Sequence, residues 1–132
     1  MGTVLIIDDE AKLRETICEM LSFLGYAVCQ AENGLEGLAK VAELLPNIII
    51  CDIMMPVLDG YGFIKQHQLS NYAHIPVLFM SAKVEQKDIE IGIMTGVRGY
   101  IKKPFLFKEF KQLIEFHLSF DDNLKKNTLS KI

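Results

Sequence analysis

The chain has 132 residues, half of them apolar, enough to bury a core without disulfide or metal staples and too apolar for a disordered or fibrous class. A net charge of −3 and a pI near 5.6, with lysines scattered rather than gathered in a stripe, argue against nucleic-acid binding by this domain itself. Three cysteines without a CxxC spacing read as small hydrophobes of a reducing compartment, and no apolar run approaches the roughly 20 residues of a membrane helix, so a soluble, cytoplasmic protein is expected.

In chain order, Thr3-Val4-Leu5-Ile6-Ile7 is a short apolar run that ends in Asp8-Asp9. Leu13, Ile17, Met20, Leu21 and Leu24 then recur at helical spacing, and Gly25 closes that helix as a left-handed cap. Tyr26 to Gln30 reads as a second strand and Asn33-Gly34 as a turn. Leu35, Leu38, Val41, Ala42 and Leu45 mark a second helix, stopped by Pro46. Ile48-Ile49-Ile50-Cys51 is unbroken by any polar residue and delivers Asp52, after which Pro56 and Asp59-Gly60 are turn signals. Such a run reads as a strand buried on both faces. A third helix through Phe63, Ile64 and His67 runs to about Leu69. Pro76 to Met80 is a fourth strand leading into Ser81-Ala82. Val84 to Met94 is a weak helix with Gly92 inside it and Gly96 at its end. Val97 to Ile101 is a fifth strand ending in Lys102-Lys103-Pro104, and Leu106, Phe110, Leu113, Ile114 and Leu118 make a last amphipathic helix. Five strands alternating with five helices predict an α/β fold, a doubly wound parallel sheet with right-handed crossovers. From Asp121 the chain turns polar, a helix end or the start of a linker.

Polar residues collect at the carboxyl ends of four strands: Asp8 and Asp9, Asp52, Ser81, and Lys103. An open parallel sheet does its chemistry at those ends. Three carboxylates brought together repel one another and need a cation, and an all-oxygen set with room for water suits Mg²⁺. A hydroxyl and an ammonium suit the oxygens of a phosphoryl group. Asp52, between metal and ammonium, is placed to act as a carboxylate nucleophile. The chemistry is Mg²⁺-assisted phosphoryl transfer onto Asp52. Taken singly, Asp8-Asp9 would be an acidic helix start, Ser81 a helix cap and Tyr100 a half-buried strand aromatic. His67, His74 and His117 lack ligand spacing, and Phe105, Phe107, Phe110, Phe116 and Phe120 are too many for one buried stripe.

With Asp8-Asp9, Asp52-Ile-Met-Met-Pro-Val-Leu-Asp-Gly60, Ser81-Ala82 and Lys103-Pro104-Phe105 in this order, the sequence resembles the receiver domain of two-component response regulators from about Thr3 to Ser119. The resemblance implies a flavodoxin-like sheet of order 2-1-3-4-5, a receiver domain over residues 1–120 and a polar tail or linker over 121–132. It implies that Asp52 is the phosphoacceptor and that Asp9, Asp52 and the Met54 backbone carbonyl ligate Mg²⁺, with Asp8 reaching the metal through water. Lys103 pairs with Asp52 or its phosphoryl group, Ser81 and Tyr100 form the switch, and the peptide bond before Pro104 is cis. Lys83 and Met54 flank the phosphate. The implied partners are a sensor histidine kinase or histidine phosphotransfer protein, and a homodimer or a downstream output domain. No membrane association is expected, and the domain catalyses only its own phosphorylation and dephosphorylation.

Phosphorylation adds about −1.5 to −2 charge units and three strong acceptor oxygens. Ser81 is expected to move toward them and Tyr100 to fill the vacated space, shifting the face made by the fourth helix, fifth strand and fifth helix. Three other readings compete. A flavin carrier of the same architecture needs a glycine- and hydroxyl-rich loop where Asp8-Asp9-Glu10 stands. An aspartate-nucleophile phosphatase needs an aspartate where Met54 stands. A pseudo-receiver serving only as an interaction module has lost a motif residue, and none is lost here. DNA-binding regulators of the winged-helix class carry acids on the fifth strand, whereas this chain reads Gly96-Val97-Arg98-Gly99-Tyr100.

Overall fold

The computed structural model describes residues 2–82 and 85–130, with side chains through residue 118. Strands β1 (Thr3–Ile7), β2 (Ala27–Ala31), β3 (Ile48–Asp52), β4 (Val77–Ser81) and β5 (Gly99–Lys102) alternate with helices α1 (Ala11–Phe23), α2 (Gly34–Leu44), α3 (Gly60–Gln68), α4 (Gln86–Thr95) and α5 (Phe107–Ser130). Every strand pair is parallel and the order is β2-β1-β3-β4-β5, the doubly wound arrangement expected.

The unbroken apolar runs follow from burial on both faces. Leu5 and Ile7 of β1 with Ile49 and Cys51 of β3 pack toward Val41 of α2 and Phe63 and Ile64 of α3. Val4 and Ile6 with Ile48 and Ile50 pack toward Ile17 and Leu21 of α1 and Phe110 and Ile114 of α5. Fully burying one such aliphatic side chain contributes about 1.5–3 kcal/mol, so register is strongly specified at the centre of the sheet. β2 and β5 lie at the edges and are only partly buried. Pro76 stands just before β4 and serves its neighbour only as an acceptor, its carbonyl taking the Ile49 N–H at 2.9 Å.

Several boundaries differ from the sequence expectation for local reasons. Asn33 is the N-cap of α2 rather than part of a separate turn, because its side chain accepts the Glu36 N–H at 2.9 Å. Asp59 caps α3 in the same way through Gly62 N–H at 2.8 Å. Ser81 is not the cap of α4: that position is Glu85, joined to Asp88 in a reciprocal capping box. Gly25 and Gly96, at φ 96° and 92°, end α1 and α4. β5 begins at Gly99 rather than Val97, and α5 continues through the polar stretch to Ser130. Cys51 is buried, Cys18 and Cys29 half-buried, and all three are free thiols.

Candidate functional site

The sheet reverses its winding between β1 and β3, and the carboxyl ends of those two strands hold the acids. The pairing of Ile7 with Cys51 brings Asp8, the next residue of one strand, beside Asp52, the last of the other. Ser81 ends β4, and Lys103 follows β5, where Ser81 pairs with Lys102. The Lys103 N–H donates to the Ser81 carbonyl at 2.8 Å, and the Lys103–Pro104 bond is cis.

Lys103 Nζ lies 3.4 Å from Asp52 Oδ2 and 3.5 Å from Asp8 Oδ2. Asp52 Oδ1 accepts the Ile53 N–H and Asp8 Oδ1 the Glu10 N–H, each at 2.9 Å. Asp8 is wholly buried and Asp52 nearly so, while Asp9 is exposed. Burial pushes the Asp8 carboxyl above its ordinary 3.8, opposed by the Glu10 N–H and Lys103 and reinforced by Asp9. Burial likewise raises Asp52, opposed by Lys103 and reinforced by Asp8.

Among the described residues, Lys103 is the one lysine paired with these acids, and it does not balance them. One oxygen from each of Asp8, Asp9 and Asp52 falls within 4.8 Å of the others, and among the described residues the buried Asp8 Oδ2 makes no hydrogen bond. A buried carboxylate oxygen met only by a lysine at ion-pair distance, in an all-oxygen cluster, suits a small hard dication. An adjoining cavity of about 600 Å³ is lined by Asp52, Met54, Ser81 and Lys103 on one side and by Tyr61 of α3 and Asp88 of α4 on the other. Met54 is well exposed at its mouth.

Tyr100 stands away from the carboxylates. Its ring meets Phe79 edge-on at 5.9 Å, and its hydroxyl donates to the Asp88 carbonyl of α4. Burial raises its pKa above 10, with Tyr61 and Asp88 adding to the effect. Lys102 is exposed, and Lys83 lies outside the described residues. The histidines do not gather. His67 is fully buried, stacks on Phe63 and donates from Nε2 to the Ile75 carbonyl at 2.9 Å, and burial lowers its pKa. Among the phenylalanines, Phe110 is buried with Phe105 stacked on it, whereas Phe107 and Phe116 are exposed. The side chain of Phe120 is outside the described residues.

Two contacts around the site were absent from the sequence reading. Arg14 of α1 reaches back to the Asp8 carbonyl, Nη1 to O at 2.6 Å. Gly92 of α4 gives way to the Tyr100 hydroxyl, since a Cβ there would lie 1.8 Å from it. A lone arginine on an amphipathic helix and a glycine in a weak helix give no periodic signal; only tertiary packing shows what they touch.

A sequence profile described as the response regulator receiver domain matches residues 4–115. This chain belongs to that family. The receiver domain is 36% identical over 124 residues to a probable transcriptional regulator, ycf27, of Porphyridium aerugineum, covering 94% of this chain and 51% of that protein. It is 34% identical over 106 residues to the response regulator MprA of Mycobacterium sp. (strain KMS), covering 80% and 46%. The chain thus spans about half the length of these curated relatives. Among solved structures, the chemotaxis protein CheY4 of Vibrio cholerae superposes with a TM-score of 0.82 at 30% identity, covering 87% of this chain and 97% of that one. The receiver domain of the Francisella response regulator 1452 gives 0.85 at 26%, covering 92% and 99%. Membership makes this a domain of phosphorelay signalling rather than a classical enzyme. The family binds Mg²⁺ at an acidic pocket, and Asp8, Asp9 and Asp52 form such a cluster here. Among the described residues, no helix of the receiver domain is long and apolar enough to cross a membrane.

Proposed function

We propose that this receiver domain is a phosphorylation-dependent switch of the cytoplasm that takes a phosphoryl group from a phosphohistidine onto Asp52. The observation that carries the reading is the Asp52 carboxylate held 3.4 Å from Lys103 Nζ within a cluster of three acids. Asp9, Asp52 and the Met54 carbonyl would hold Mg²⁺, with Asp8 acting through water, and the ion supplies charge neutralisation for the transferring oxygens. An Asp52 oxygen attacks phosphorus, the P–N bond to the donor imidazole breaks, and the imidazole leaves with the electron pair and takes up a proton. Lys103 pairs with the charge on the phosphoryl oxygens, and the Ser81 hydroxyl donates to one of them. The peptide N–H that holds Asp52 Oδ1 keeps the nucleophile aimed into the cavity.

The phosphodonor is a sensor histidine kinase or a histidine phosphotransfer protein. The output is an attached domain, a second copy of this chain or a separate protein, and this domain makes no direct contact with nucleic acid. The response passes through α4, β5 and α5. α4 buries only Gly92 among its residues and leaves Ile91, Ile93 and Met94 exposed, so a shift disturbs little core. Ser81 moving to the phosphoryl group draws the Tyr100 ring from Asp88 and changes that face, a shift between two packings.

Incubation with acetyl phosphate and Mg²⁺ should add one phosphoryl group by intact mass, and Asp52→Ala should abolish the addition. Lys103→Gln should slow it about 100-fold. An unmodified wild-type protein would leave the pseudo-receiver reading in its place. With a beryllofluoride mimic, backbone resonances from residue 85 to 106 should move, and an unchanged spectrum there would remove the switch while leaving the chemistry.

A further inference from the structure

Arg14 of α1 is a mostly buried cation that reaches the backbone of the acidic site and for which the chemistry above has no use. Its side chain is only 11% exposed, although it starts from the first turns of a surface helix. Nη1 donates to the Asp8 carbonyl at 2.6 Å, Nε donates to Gln30 Oε1 of β2 at 2.9 Å, and Nη2 lies 4.0 Å from Glu32 Oε1. The guanidinium therefore spans α1, β2 and the β2–α2 connection and ends on one oxygen at the tip of β1.

That oxygen belongs to the peptide unit joining Asp8 to Asp9. The unit is planar, so fixing its oxygen fixes the direction in which the Asp9 backbone leaves β1. The other side of Asp8 is already tied: its N–H donates to the Ala31 carbonyl at 3.1 Å and its Oδ1 accepts the Glu10 N–H. Among the described residues Asp9 has no such ties. It is exposed, and its carboxylate is placed only by the backbone beneath it. We infer that Arg14 is a positioning residue of the acidic site, clamping the Asp8–Asp9 peptide so that the exposed Asp9 carboxylate meets those of Asp8 and Asp52. The inference rests on the Mg²⁺ site proposed above.

Geometry and charge make opposite predictions here. As a nearby cation, Arg14 repels a dication, so its loss would tighten Mg²⁺. As a clamp, it preorganises a ligand, so its loss weakens Mg²⁺, by about tenfold for a partner outside the coordination sphere. Lysine keeps the charge, yet one ammonium cannot hold the Asp8 carbonyl and Gln30 in the planar fork of a guanidinium.

The test is Mg²⁺ titration by calorimetry on wild type, Arg14→Met, Arg14→Lys and Gln30→Ala. Arg14→Met and Arg14→Lys should each raise the Mg²⁺ dissociation constant about tenfold, and Gln30→Ala, at an exposed residue, about twofold. With acetyl phosphate, half-maximal labelling of Arg14→Lys should need about tenfold more Mg²⁺, while the rate at saturating Mg²⁺ stays within about twofold of wild type. Tighter or unchanged Mg²⁺ binding in Arg14→Met overturns the clamp. If that variant does not fold, unchanged affinity in Arg14→Lys overturns it equally. A wild-type chain that binds no Mg²⁺ overturns both the site and the clamp, whereas a binding wild type with equally binding variants overturns the clamp alone.

Discussion

Asp8 and Asp52 carry charge where little water reaches it, and both hold their protons more tightly than an aspartate in water. A carboxyl whose pKa rises on folding supports the native state fully below its unfolded value of 3.8. That support is lost as pH rises through the higher folded value. Above both values the metal-free protein carries a standing electrostatic cost. Asp8→Asn and Asp52→Asn should therefore each stabilise the protein in EDTA at pH 7, by on the order of 1 kcal/mol. The gain should shrink toward zero below pH 4, where the wild-type carboxyls are protonated as well. Urea unfolding of each variant at the two pH values measures this, and a gain independent of pH would mean that charge is not its source.

At the level of elements, two segments next to the site depart from regular packing. In the β3–α3 connection Val57 has φ 70°, inside a tight turn closed by Leu58 N–H to the Pro56 carbonyl at 2.8 Å. A β-branched residue there is strained by about 1–3 kcal/mol. The residue is 76% exposed, so removing its side chain forfeits little packing. Val57→Gly should raise stability by about 1 kcal/mol after the added chain entropy of glycine is counted, and a lower melting temperature would contradict the strain. On the other side of the cavity, α4 is held to the sheet in part by the Tyr100 hydroxyl on the Asp88 carbonyl, and the gap at Gly92 makes that contact possible. Gly92→Ala should expel the ring. Its titration, followed by tyrosine carbon resonances, should fall back toward pH 10 because the burial that raised it is relieved. An unmoved Tyr100 titration would show that the ring keeps its place without the gap.

Across the whole molecule, the cluster at the strand ends is a load that the two packed faces of the sheet must carry. A dication binding the native state alone offsets that load. Mg²⁺ at 100 times its dissociation constant should stabilise the fold by about 2.7 kcal/mol, a rise of roughly 10 °C in Tm. The rise should be nearly lost at pH 4, since protons then compete for the raised carboxyls of Asp8 and Asp52. A calorimetric scan with Mg²⁺ against EDTA at both pH values measures it, and an equal rise at pH 4 would mean the ion binds elsewhere.

The sequence alone determined the alternation of strands and helices, the strands buried on both faces, and the acids, hydroxyl and lysine at the strand ends. Those features are local: a run such as Ile48 to Cys51 has one favourable environment, and the polar residue after it stands at the carboxyl end of its strand. Element ends were less legible, because Asn33 and Glu85 act as caps only once the following helix has found its packing. Tertiary structure alone decided that burial lifts the carboxyls of Asp8 and Asp52, where Arg14 reaches, and why α4 has a glycine opposite Tyr100. Each of these joins residues of different elements, and desolvation, charge and steric fit are set by the distances between elements, which no spacing along the chain encodes.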